Sequence, residues 1–429
     1  MNQKHTYLFE MNRIAIPLIL STVTSVLMGI IDQAFVGHIS LDAYAGVGLV
    51  CSCVNSLVGV LGAFSIVFNI TGARLRGADD EKNLREAFTV WFLICAGVGI
   101  SLFLLLNIFC VPILGAGFGL TGETLREAAG YLRIFSLSVP LNLLIFLYNG
   151  VFKVFRKTGH ILGVTLLVNA VNILLDYMLI FGRWGAPRLG TSGAAIGTVS
   201  ALGLNLLIYA LIARRFIGFS RGRQGILVKI KEQLLFSLPF LGQEAMEDIL
   251  FVVGLNMLIG RMGTLPLSAY NLLGQIISVV QMPMFGYGSA AASLSSEAWG
   301  REDPEGIRKI QRDAYLLLTG WFLFLFVLIM ANARPIITLI SDDPSLLALA
   351  SACLPAALLI QAPNYGITVE KARLQATGHS GRTLAVTFAV NLAALLIIWL
   401  TARQLSVLYA LLGISYLVTW AVLHFCIKK

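Results

Sequence analysis

Apolar residues in this chain gather into runs of 20 or more, separated by short charged stretches, and that pattern leaves few ways to fold. A soluble protein needs a polar exterior, yet 57% of the 429 residues are hydrophobic and only 12% are charged. Hydrocarbon offers backbone groups no hydrogen bonds, so runs of this length cross a membrane as helices. Twelve spans are read at 14–37, 45–71, 87–114, 128–152, 160–182, 191–213, 235–259, 266–297, 314–338, 345–369, 383–402 and 405–427. The predicted fold is therefore an all-α integral membrane protein with twelve transmembrane helices. The 41 glycines suit close packing between such helices.

Landmarks recur about half a chain apart. Pro17 and Pro239 each open an apolar helix, and Gly37 and Gly260 close them. The run from Gly77 to Arg85 reads against the run from Gly300 to Arg308, and Thr-Gly-His stands at both 158–160 and 377–379. The offsets are 222, 223, 223 and 219 residues, so the chain reads as a duplicated unit of roughly 220 residues. The partition is 1–213 (spans 1–6), a basic linker 214–234, and 235–429 (spans 7–12), two pseudo-symmetric six-helix bundles. An even number of spans per half gives both halves one orientation, related by an axis along the membrane normal. Duplication in so apolar a chain points to a transporter, which moves two halves around a site.

With both termini in the cytoplasm, 24 of the 31 lysines and arginines fall on the inner side. The net charge of +9 then reports orientation, and nucleic acid is the poorer reading. No secretory signal is read before the first span. The six cysteines lie in or beside spans without metal-like spacing and read as packing residues. His160 and His379 read as parts of inherited cytoplasmic turns.

An ionisable group at membrane depth costs about 2.5–3.5 kcal/mol on insertion scales, so each one needs a reason. The deepest are Asp32 in span 1, Asp176 in span 5, and Glu244, Glu247 and Asp248 in span 7. Thr165, Asn169, Asn172 and Asp176 are spaced 4, 3 and 4 apart, on one helix face. Thr22, Ser25, Gly29 and Asp32 form a second stripe. At 1.5 Å per residue, Asp32, Asp176 and Thr198 all lie roughly 8–11 Å below the outer surface. Carboxylates, a carboxamide and a hydroxyl at one depth suit Na⁺ or a shared proton. Glu247, near the middle of span 7, is the candidate for a second proton or a substrate, with Glu244 on its face. Glu370, beside Lys371 and Arg373 at a span end, reads as a solvated ion pair.

Over essentially its whole length the chain resembles the multidrug and toxic-compound extrusion (MATE) family. The matching stretches are Pro17 through Gly37 with Asp32 near its end, Asn172 to Asp176 followed by Leu-Ile-Phe-Gly182, and Gly193-Ala-Ala-Ile-Gly-Thr198. The turns around Arg156–His160 and Gln375–His379 add to these. The resemblance implies two six-helix lobes in a V around a central cavity, and cation-driven export of amphipathic drugs. It implies a cation site at Asp32, Asn172, Asp176 and Thr198 in the N-terminal lobe, and a helix bend at Pro17. Glu247 matches a span 7 acid that other branches use in the C-terminal lobe. Where some of those branches carry a span 10 aspartate, this sequence has Asn364 nearby.

The expectation is a monomeric multi-pass antiporter of the cell (inner) membrane. It exchanges Na⁺ or H⁺ for cationic organic compounds and needs no cofactor. A flippase for lipid-linked saccharides is the alternative, disfavoured because phosphates call for lysine or arginine within the spans. No compact nucleophile, metal or diphosphate-binding motif supports an enzyme.

Overall fold

A computed structural model describes residues 6–39, 41–220 and 225–426. Helices account for nearly all of them, and no strand occurs among the described residues. Twelve helical tracts follow one another. They are α1 (Thr6–Gly37), α2 (Leu41–Leu61 with Ala63–Gly77), α3 (Glu81–Ile108), α4 (Gly122–Phe135 with Ser138–Val154), α5 (Gly159–Phe181) and α6 (Thr191–Ala213). Then come α7 (Ile226–Ala245, a π-helical turn Met246–Phe251, and Val252–Gly260), α8 (Thr264–Gly300) and α9 (Pro304–Ala331 with Ala333–Ile340). The last three are α10 (Pro344–Leu359 with Gln361–Ala376), α11 (Ser380–Thr401) and α12 (Leu405–Ala421 with a π-helical turn Val422–Cys426).

Nine of these tracts are long and apolar enough on their own to cross a membrane, and α4 makes a tenth once its two segments, bent by 40°, count together. The bend falls where Pro140 supplies no N–H to Ser136 O, and Val139 N–H takes that carbonyl at 3.1 Å instead. The remaining two have polar interiors. Lys229, Lys231, Glu232, Glu244 and Glu247 dilute α7, which its π-helical turn also interrupts. Gln275, Ser278, Gln281 and a run of serines and glycines dilute α8.

The duplication is visible in the turns. After α2, Asp79 adopts a left-handed φ of 57°, and after α8 Glu302 adopts 58°. Asp80 N–H donates to Leu75 O and Asp303 N–H to Ala298 O, each at 2.9 Å. Both turns are thus the same six-residue helix stop. The next helix is capped alike, Asp80 accepting from Asn83 N–H (3.1 Å) and Asp303 from Gly306 N–H (2.7 Å). The offset is 223 throughout.

The second pair of turns corrects the tripeptide alignment. Lys157 N–H donates to Phe152 O at 2.7 Å and His379 N–H to Leu374 O at 2.8 Å, with Arg156 and Gly378 left-handed at φ 55° and 87°. Arg156 therefore corresponds to Gly378, an offset of 222. Thr377–His379 closes α10, whereas Thr158–His160 opens α5. The two Thr-Gly-His triplets lie three residues out of register, and their identity is a coincidence of composition beside a true repeat.

The described chain packs as two compact units, Leu20–Leu238 and the chain up to Ile19 with Pro239–Lys429. These cut the chain at other places than the duplication does. In the first unit, Gly150 lets α4 close on Phe68, since a Cβ there would lie 2.8 Å from its ring. Segment 214–238 returns onto α3 through Ser220 N–H to Thr89 Oγ1 (2.8 Å) and a Lys229–Glu86 ion pair. Of the basic linker, residues 221–224 lie outside the described residues. In the second unit, Met11, Ile14 and Ala15 join a core with Leu273, Ile310 and Leu358, all fully buried. Tyr287 donates to Asn12 Oδ1 at 2.5 Å and accepts from Trp321 Nε1 at 3.1 Å. α1 thus passes from one unit to the other two residues after Pro17.

The turns generate a stability prediction. Left-handed φ costs a non-glycine residue on the order of 1 kcal/mol. Glu302→Gly is expected to raise the thermal unfolding temperature, and Gly378→Ala, which meets no neighbouring atom, to lower it. Opposite signs in differential scanning fluorimetry check the assignment of both turns.

Candidate functional site

In the N-terminal unit, α1, α5 and α6 bring Asp32, Asn172 and Thr198 to the lining of one cavity of about 270 Å³, while Asp176 is buried outside that lining. The carboxyls of Asp32 and Asp176 meet within hydrogen-bonding range. Asn172 Nδ2, one helical turn before Asp176, donates to Asp176 Oδ2 at 2.7 Å. Asp32 Oδ1 and Asp176 Oδ1 are buried with no donor. Thr198 lines the cavity while its hydroxyl donates to Ala194 O at 3.0 Å. Asp176 and Asn172 are 1% and 6% exposed, so bulk water does not solvate the pair. Two carboxyls in contact do not both stay ionised unless a proton or cation stands between them. The cavity holds about nine waters at ~30 Å³ each and falls below the ~300–1,000 Å³ of drug-sized sites. Its size suits an ion and its waters.

Stripe periodicity points to Asp32, Asn172 and Asp176, but misses what surrounds them. Tyr131 of α4 lines the same cavity, within electrostatic reach of both carboxyls, with its hydroxyl 3.3 Å from Cys51 Sγ. Asn55 and Asn142 add two more carboxamides. Gly197 makes the room: a Cβ there would sit on Asp176 Oδ1. Gly193 likewise admits α6 against the end of α5, where a Cβ would lie 2.5 Å from Leu179 O. Thr165, on the predicted stripe, instead hydrogen-bonds Tyr209. Pro17 sits inside an unbroken helical α1.

In the second unit, Glu247 falls within the π-helical turn of α7, a local widening that often marks functional positions. Its Oε1 accepts from Lys371 Nζ at 2.5 Å and from Gln243 Nε2 at 3.3 Å. Glu244 is half-buried on the same helix, and the side chain of Asp248 lies outside the described residues. Glu370 is not a solvated pair. It is 1% exposed and accepts from Tyr315 Oη (2.9 Å), Arg373 Nε (3.0 Å) and Gln311 Nε2 (3.4 Å), with His424 Nδ1 at 2.8 Å. That cluster ties α9, α10 and the end of α12 together. Asn364 Nδ2 donates to Gln361 Oε1 at 3.1 Å, beside Gln281 of α8. No group of three or more histidine, cysteine or acidic side chains suited to a metal ion occurs among the described residues.

The MatE family profile matches residues 17–178 and 243–400, which contain Asp32, Asn172, Asp176, Glu247 and Glu370. The chain belongs to the MatE family. The two matched segments fall one in each copy of the duplication. A probable multidrug resistance protein NorM of Thermotoga maritima is 27% identical over 350 residues, covering 79% of this chain and 73% of the relative. A probable multidrug resistance protein YoeA of Bacillus subtilis is 26% identical over 318 residues, covering 71% and 67%. An outward-facing multidrug resistance MATE transporter of the MOP superfamily superposes with a TM-score of 0.85 at 18% identity, over 98% of this chain and 96% of that one. A MOP superfamily transporter from Pyrococcus furiosus superposes at 0.83 and 18% identity, over 99% and 96%. The fold is accordingly that of twelve-helix MatE transporters, multi-pass proteins of the inner membrane.

Two predictions follow from these contacts. Gly197→Ala crowds the Asp176 carboxyl and is expected to cost about 1–3 kcal/mol, whereas Gly203→Ala, on the same helix in open space, leaves thermal unfolding unchanged. Glu370→Ala strands Arg373 and is expected to destabilise by about 3–5 kcal/mol, and Glu370→Gln by less. Unfolding of detergent-purified variants measures both.

Proposed function

We propose that this chain is a cation-coupled antiporter that exports amphipathic, cationic organic compounds by alternating access. Family membership supports transport, and the multidrug resistance names of its relatives support the substrate class. The observation that carries the coupling is the contact between Asp32 and Asp176, backed by the Asn172 carboxamide in a cavity of ion-and-water size.

Na⁺ or H⁺ enters this site from outside and neutralises the carboxyl pair. A charge crossing the full membrane gains about 2.3 kcal/mol per 100 mV, enough to drive exchange. Loading changes which donors the carboxyls face, and α1, continuous from Pro17 to Asp32, transmits the change to the proline, the hinge. Gln243, Glu244 and Glu247 of α7 serve the organic cation. We assign the lobes to 1–213 and 235–429, joined by 214–234, and the working unit to a monomer without cofactor or enzymatic activity. Saccharide-lipid flipping finds less support, since the basic side chain described beside Glu247, Lys371, is already matched by that acid.

Asp32→Asn and Asp176→Asn are each expected to abolish gradient-driven ethidium efflux from vesicles while leaving the protein in the membrane. Full efflux by either variant, across a series of Na⁺ concentrations and pH values, contradicts the assignment.

A further inference from the structure

Glu247 and Lys371 form an ion pair that is held on one side only. Both contacts to the glutamate reach Oε1, and Oε2 has no hydrogen-bond partner among the described residues. The Glu247 side chain is 33% exposed, and Oε2 is not among the buried oxygens that lack a partner. Lys371 uses one of the three donors of its ammonium, since Glu247 Oε1 is its one described acceptor. Both partners sit on backbone that can yield. Glu247 lies in the π-helical turn, and Lys371 lies five residues before the end of α10. Five residues span about 8 Å, within reach of a lysine stem that withdraws its charge toward water at the helix end.

We propose that Lys371 is a tethered internal cation that occupies Glu247 until a lipophilic organic cation displaces it. The C-terminal unit then binds its substrate by exchanging one ammonium for another. Charge at the acid stays balanced before and after exchange, so the glutamate is never left bare at membrane depth. Displacement selects for the incoming group. Na⁺ gains one or two oxygens and surrenders its hydration shell. A bulky organic cation, weakly hydrated, also brings apolar surface to Tyr416 of α12, which lies within electrostatic reach of Glu247. Gln243, which donates to Glu247 and accepts from Gln375 Nε2 at 3.4 Å, holds the carboxylate in place during the exchange.

The inference rests on the reading of the chain as an exporter of organic cations, and its test separates the two. If the pair is closed about nine-tenths of the time, it weakens apparent affinity about tenfold. Tetraphenylphosphonium binding to the purified full chain is measured for wild type, Lys371→Met, Glu247→Gln and the double variant. Lys371→Met is expected to bind about tenfold more tightly, and Glu247→Gln and the double variant to lose that site. In wild type, acylation of Lys371 by an amine-reactive ester, read by mass spectrometry, is expected to speed up when tetraphenylphosphonium is added. That readout needs no variant to fold, and simple repulsion between lysine and probe does not produce it. Equal or weaker binding by a folded Lys371→Met, or acylation unchanged by bound probe, overturns the tethered-cation role and leaves the transport reading standing. Absence of tetraphenylphosphonium binding to every form overturns the cationic substrate class, and the inference with it.

Discussion

Hydrocarbon solvates neither a backbone amide nor a charged side chain, and the rest of this structure follows from that constraint. The apolar runs become helices, and buried polar groups such as Asn172, Asp176 and Glu370 face protein. Asp32, Asn172 and Asp176 lie on stripes for this reason, and the stripes converge because no other surface accepts them. The same constraint decides which helices look least like membrane helices. α7 and α8 are diluted by charged, amide and hydroxyl side chains, and α7 carries Glu244 and Glu247.

The two halves of the duplicated unit have met this constraint differently. The first half gathers two carboxyls with carboxamides and a tyrosine, and leaves carboxylate oxygens without a donor. The second half satisfies its acids with bases, Glu247 by Lys371 and Glu370 by Arg373 and His424. On the proposed reading, one scaffold holds an ion site that requires a mobile cation and a second site that already has one. That division of labour is the physical basis for assigning coupling to the first half and substrate to the second.

Much of this is legible in the residue order, because period and spacing are local signals. The runs mark the helices, and stripes at three- and four-residue spacing mark Asp176 with Asn172. What stays hidden depends on partners far along the chain. Glu370 looks solvated beside Lys371 and Arg373, yet its other partners arrive from Tyr315 and His424, 55 and 54 residues away. Lys371 turns instead to Glu247, 124 residues distant. Gly197 carries no side chain to announce that it makes room for a carboxyl. The π-helical turn at Met246–Phe251 has no compositional mark. A repeated Thr-Gly-His even misleads by three residues, because backbone hydrogen bonds and left-handed φ angles, not identical letters, define which turns correspond.

The central claim is that one ion binding between Asp32 and Asp176 is exchanged for organic cation. Simultaneous recording of ion entry and tetraphenylphosphonium release in proteoliposomes tests it most directly. Release matched by entry of Na⁺ or protons in fixed proportion, with both fluxes absent in Asp176→Asn, is the predicted result. Release that proceeds in wild type with neither ion entering would contradict the account.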